Sequence, residues 1–141
     1  MKRLFLILLL SAAGCAHPKH TAVVLDSTLY EILNDTFVTE QALLKAGTTS
    51  WDLTKSQAFN KKLLPAVDAG RQFNVILSNW KTGDPIPVQL SNAITGITDA
   101  LKQISTDFPD GTMKAHILSD LAIAESAILT ALNLILQLKG A

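Results

Sequence analysis

Residues 87–108 read PVQLSNAITGITDALKQISTDF. Leu90, Ile94, Ile97, Leu101, Ile104 and Phe108 recur at spacings of 4, 3, 4, 3 and 4. That rhythm puts all six on one face of an α-helix. Most positions between them are polar, among them Gln89, Ser91, Asn92, Thr95, Thr98, Asp99, Lys102, Gln103 and Ser105. A single narrow stripe of this kind predicts an outer helix that buries one seam against neighbours. Ile97 lies at its middle. Pro85 and Pro87 suit the lead-in and first turn of a helix, and 107–111 (Asp-Phe-Pro-Asp-Gly) closes it.

Upstream, Phe59, Leu63, Ala66, Gly70, Phe73, Leu77 and Trp80 follow at spacings of 4, 3, 4, 3, 4 and 3. This is a second seam. Thr54 and Gln57 have the spacing of a capping box and predict its start. Pro65 sits inside the seam and predicts a kink or a division. Gly70 leaves room for a neighbouring helix to approach. Downstream, residues 112–138 are apolar almost all round from Ala127, with a thin uncharged stripe of Ser126, Thr130, Asn133 and Gln137. Three readings of this helix stand: the most buried member of a bundle, the interface of a homo-oligomer, or a membrane span. Asp120 and Glu125 interrupt the apolar run and count against the span. At the other end, residues 21–46 carry Val24, Leu25, Leu29, Ile32, Leu33, Phe37, Leu43 and Leu44 mainly at threes and fours, with Glu31, Asp35, Glu40 and Lys45 mainly off that face. Gly47 is the stop, and Trp51 in the following loop is placed to fold back over the bundle end.

Four such segments would span roughly 30–40 Å each. Short loops marked by Gly or Pro make consecutive helices antiparallel neighbours. The expected fold is therefore all-α, an up-down-up-down four-helix bundle. No strand-length alternation competes with it.

The leader has a different organisation. Lys2 and Arg3 precede an unbroken apolar run at residues 4–10, then Ser11, Ala12, Ala13, Gly14 and Cys15, the chain's one cysteine. This is the n-region, h-region and small-residue site of an export signal, too short to span a bilayer. It resembles the lipobox of bacterial lipoproteins, with Ala12 where that family most often has leucine. The resemblance covers only the leader. It implies cleavage after residue 14, diacylation of Cys15 and attachment to a membrane. Ala16, where an aspartate would retain such proteins in the inner membrane, implies the outer membrane facing the periplasm in a host with two membranes. The expected organisation is a signal peptide at 1–14, an acylated tether at 15–20 broken by Pro18, and a helical domain at 21–141. The layout is similar to that of small helical lipoproteins of bacteria and prophages, a likeness that names no activity.

Without the leader, 127 residues carry 10 Lys+Arg against 12 Asp+Glu. That length suffices for one domain. The balance gives no ground for a nucleic-acid partner. With one cysteine, the fold must hold by packing rather than by an internal disulfide.

Chemistry is sparse. No Gly-x-Ser-x-Gly, His-Glu-x-x-His or phosphate loop occurs. The Glu-x-x-His pair of di-iron bundles is missing as well. His17 and His20 share the tether without a third ligand nearby. His116 and Asp120 lie four apart on one face, where an ion pair or hydrogen bond is the simpler reading than coordination. Asp26, Asp35 and Asp68 read as solvated helix charges. Neither metal nor other cofactor is expected. Two functions follow. One is a membrane-anchored, non-enzymatic module that holds a protein partner. The other is a lipid-anchored carrier that takes a small apolar ligand between helices near Pro65, lined by Phe59, Ala66, Gly70 and Phe73.

Overall fold

A computed structural model describes the backbone at residues 18–81 and 83–140, and side chains from Leu25 to Gln137 except Asn74, Leu77 and Thr82. The described residues form four helices: α1 (Pro18–Lys45), α2 (Leu53–Asn79), α3 (Val88–Asp107) and α4 (Thr112–Gly140). Each packs on two neighbours, α1 on α2, α2 on α3, α3 on α4, and α4 back on α1. This is the expected up-down-up-down four-helix bundle. The ring encloses one core, built from Leu25, Leu29, Ile32 and Leu33 of α1, Phe59, Leu63 and Phe73 of α2, Leu90, Ile97 and Ile104 of α3, and Ile117, Leu121, Ile128 and Ile135 of α4.

α1 is described from Pro18 onward, so residues 18–20, expected in the tether, are already helical. Gly47 takes φ +68° behind α1, and its N–H donates to the Leu44 carbonyl at 3.2 Å. That left-handed cap is what its position predicted. α2 starts one residue ahead of Thr54. Its N-cap is Asp52, whose Oδ1 accepts from the Lys55 N–H at 2.9 Å. Thr54 and Gln57 are exposed. The expected capping box is replaced by the better cap two residues upstream. Pro65 does not divide α2, which runs unbroken to Asn79.

Two buried glycines differ in how closely a neighbouring helix approaches them. A Cβ on Gly70 would meet only Leu29 Cδ2, at 3.5 Å, an ordinary contact. A Cβ on Gly96 would collide with the Lys62 carbonyl oxygen and lie 3.4 Å from Pro65 Cγ. α2 and α3 therefore approach closely at Gly96. Accordingly the buried line of α3 runs through Leu90, Ala93, Gly96, Ile97, Ala100, Gln103 and Ile104, while Ile94 and Leu101 are only half-buried at its edge. Ala93, Gly96 and Ala100, which lie off the expected seam, are buried with it. α4 holds the most continuous buried face and, by length and composition, is apolar enough to cross a bilayer over Thr112–Gln137, with half of its most apolar window buried in the bundle.

Asp110, ahead of α4, accepts from Lys114 Nζ at 2.8 Å. That hydrogen bond, and the charge behind it, hold the Asp110 carboxyl below the usual carboxylate range. The pair is thus intact above that range and is lost as pH falls through the lowered value. Lys114→Met should return the Asp110 titration, followed by NMR, to the ordinary range. Thermal unfolding should separate the glycines. Gly70→Ala gains helix propensity of up to about 1 kcal/mol without a clash. Gly96→Ala forces α2 and α3 apart and should destabilise by about 1–3 kcal/mol.

Candidate functional site

Three places in the bundle gather chemically distinct side chains. The first closes one end. Trp51, in the α1–α2 loop, is 1% exposed. Its indole Nε1–H donates to Glu40 Oε1 at 2.8 Å, and Gln41 Nε2 donates to Glu40 Oε2 at 2.9 Å. The ring stands edge-on to Phe59 at 5.9 Å between centroids and tilted on Phe108 at 4.8 Å. Beside it, Gln103 of α3 donates to the Lys55 carbonyl at 3.1 Å. The expected fold-back of Trp51 is present. Glu40, read as a surface charge, is fully buried as the acceptor for that indole. Its position in α1 gave no sign of this, because the donor comes from a loop eleven residues on.

The second place lies on the face shared by α1 and α4. His116 Nε2 is 3.4 Å from Asp120 Oδ2, one turn along α4, and 3.4 Å from Asp35 Oδ2 of α1. One ligand atom from each residue lies within 4.8 Å of the other two. The Asp120 side chain is 5% exposed, Asp35 35% and His116 49%. The i, i+4 pair was legible in the sequence, but Asp35 was not, because only the docking of α1 on α4 brings it there. Asp26, also read as solvated, is half-buried, and burial raises its carboxyl above the usual range. Asp68 is open to solvent as expected, 4.0 Å from Arg71.

The third place is a groove of about 120 Å³ between α1 and α2, lined by Tyr30, Leu33, Asn34, Phe37, Val67, Gly70 and Arg71. Of the four expected pocket residues, Gly70 borders this groove. Phe59, Ala66 and Phe73 are 0–1% exposed and packed in the core. A more open depression of about 370 Å³ on α2 and α3 includes Leu64, Pro65 and Asn92. Cys15 and His17 lie outside the described residues, as does the side chain of His20.

Compared with known proteins, the chain matches no family, no curated protein and no solved structure. The site must therefore be read from its own chemistry. None of the three places pairs a nucleophile with a base. The end cap is structural, the groove is small and mostly apolar, and the α1–α4 cluster offers two carboxylates around one imidazole.

Glu40→Leu should leave the Trp51 N–H buried without its acceptor. A loss of about 1–3 kcal/mol in thermal or denaturant unfolding is expected, with a red-shifted tryptophan emission as the loop loosens.

Proposed function

We propose that the chain is a lipid-anchored, non-enzymatic lipoprotein of a bacterial cell envelope, fastened at Cys15 and using its helical bundle as a structural or protein-interaction module. The observation that carries this reading is the leader: two cations, seven apolar residues, small residues, then the chain's one cysteine at position 15. Acylation accounts for a single cysteine at that place, where a free thiol in an exported protein would invite unwanted disulfides. Ala16 fits the outer membrane, facing the periplasm, where a host has one.

The start of α1 supports the reading. Pro18, three residues beyond Cys15, already belongs to α1, and three residues reach at most about 11 Å. An acylated Cys15 would hold the bundle close to the headgroups by the end that carries the start of α1, the end of α2, the 80–87 loop, the start of α3 and the end of α4. Lys19, Lys81 and Lys139 belong to segments at that end, as does Asp84, and Ile86 and Val88 are exposed there. Cations at that level favour anionic headgroups. The far end and the flanks remain available to a protein partner. Leu129 and Leu136, one heptad apart and more than 40% exposed on α4, offer a strip for a second copy.

The α1–α2 groove favours a second reading, a lipid-anchored carrier of a small apolar ligand. Its volume of about 120 Å³ is well below the roughly 300–1,000 Å³ of drug-sized sites, so any cargo held there is a fragment or one end of a chain.

Intact mass of the membrane-extracted protein, with Cys15→Ala alongside, tests the anchor. The expected result is cleavage before Cys15 and a mass gain from acylation, with both membrane attachment and acylation lost in the variant. An unmodified, soluble product would overturn the lipid-anchored reading. Native mass spectrometry of the same preparation tests the carrier, whose prediction is a retained small apolar molecule.

A further inference from the structure

His116 Nε2 is a single ligand atom approached by two carboxylate oxygens from two different helices, each at 3.4 Å. An imidazole nitrogen carries at most one proton and directs it along one axis. N–H···O bonds prefer about 2.7–3.2 Å, so one proton between two equidistant oxygens at this separation serves neither well. A cation serves both. Around zinc, nitrogen and oxygen ligands sit about 2.0–2.2 Å from the metal in a tetrahedral array. The edge of a tetrahedron is about 1.63 times its centre-to-corner distance, so neighbouring ligand atoms there are separated by about 3.4 Å at the bond lengths zinc prefers. Both nitrogen–oxygen separations match that edge, and the third, between the carboxylates, lies within 4.8 Å.

The donor set also fits. One imidazole and two carboxylates suit a borderline divalent cation, and two carboxylates neutralise its charge. The Asp120 side chain is 5% exposed and belongs to the packed face of α4, which fixes one ligand. His116, half exposed, leaves an entry path and a fourth position open to water.

We propose that Asp35, His116 and Asp120 form a binding site for a zinc-type divalent cation that ties α1 to α4. The site does not depend on the anchor at Cys15. The test uses the full chain stripped with a chelator, in detergent where the anchor requires it. Zinc alone is the ligand, with equilibrium dialysis for stoichiometry and thermal unfolding for effect. Because His17 and His20 can also take metal, a His17→Gln, His20→Gln double variant is measured alongside. The expected result is one tightly held zinc per chain and a raised Tm, both retained in the double variant. Affinity should fall at least tenfold in Asp35→Asn and in His116→Gln. These two side chains are partly exposed, so their variants should fold where Asp120→Asn, at a buried position, is at risk. Cobalt(II) should give the visible absorption of a four-coordinate site in the parent and lose it in both variants. No zinc binding, or binding that disappears in the double variant while persisting in Asp35→Asn and His116→Gln, would overturn the proposal.

Discussion

The hydrogen bond from the Trp51 indole to Glu40 fixes one end of the bundle. A carboxylate with no solvent exposure is costly unless donors surround it, and Glu40 accepts from Trp51 and Gln41. The tryptophan is in turn held by Phe59 of α2 and by Phe108 at the end of α3. One loop residue thus joins α1, α2 and α3, and Asp52 beside it caps α2. The loop therefore sets the start and register of α2, and through α2 the position of Pro65 against Gly96. In a chain that relies on packing, this polar contact supplies specificity that apolar burial does not.

The α2–α3 interface shows where sequence rhythm was informative and where it was not. Spacings of three and four located all four helices and the middle of the third seam at Ile97, which is fully buried. They did not assign the glycines. Gly70, on the apolar stripe of α2, meets Leu29 of α1 at an ordinary distance, whereas Gly96, beside the stripe of α3, is where the α2 backbone comes close. What a helical glycine does depends on which atom faces it, here the Lys62 carbonyl, and that atom belongs to another helix. The same holds for the cap. Thr54 and Gln57 satisfy a local pattern, but Asp52 is held by a loop anchored through Trp51, and tertiary fixation overrode the local signal.

The candidate sites divide in the same way. The Cys15 reading is wholly a sequence reading, since an export signal acts as a string of residue types before the domain folds. The α1–α4 cluster is the reverse. His116 and Asp120 were visible as an i, i+4 pair, a spacing so common on helix surfaces that it favoured the simpler reading. Asp35 turns the pair into a three-ligand cluster, and its side chain points there only because Ile32, Leu33 and Thr36 of α1 are turned into the core. Likewise the pocket expected around Phe59, Ala66, Gly70 and Phe73 was inferred from residues on one helix, but Phe59, Ala66 and Phe73 are packed in the shared core.

The place of the cluster within the bundle gives it more weight than its size suggests. Three of the four helix contacts join consecutive helices, which short loops hold together at little entropic cost. The fourth, α1 against α4, joins the first helix to the last and has no loop of its own. Apolar burial closes it, but burial is non-directional and tolerates sliding. Asp35 and His116 sit on that seam, seventeen residues along α1 from Pro18, or about 26 Å of helix. A directional contact there, whether proton or cation, fixes the register of α1 on α4. A bond to a divalent ion would do so more rigidly, because it also removes the repulsion between the two carboxylates that meet at the same nitrogen. In a bundle held to a bilayer by the start of α1, pull on the tether would act along α1 and load this seam. A clasp far from the tether, on the two helices that lack a connecting loop, is where such a load would be best resisted.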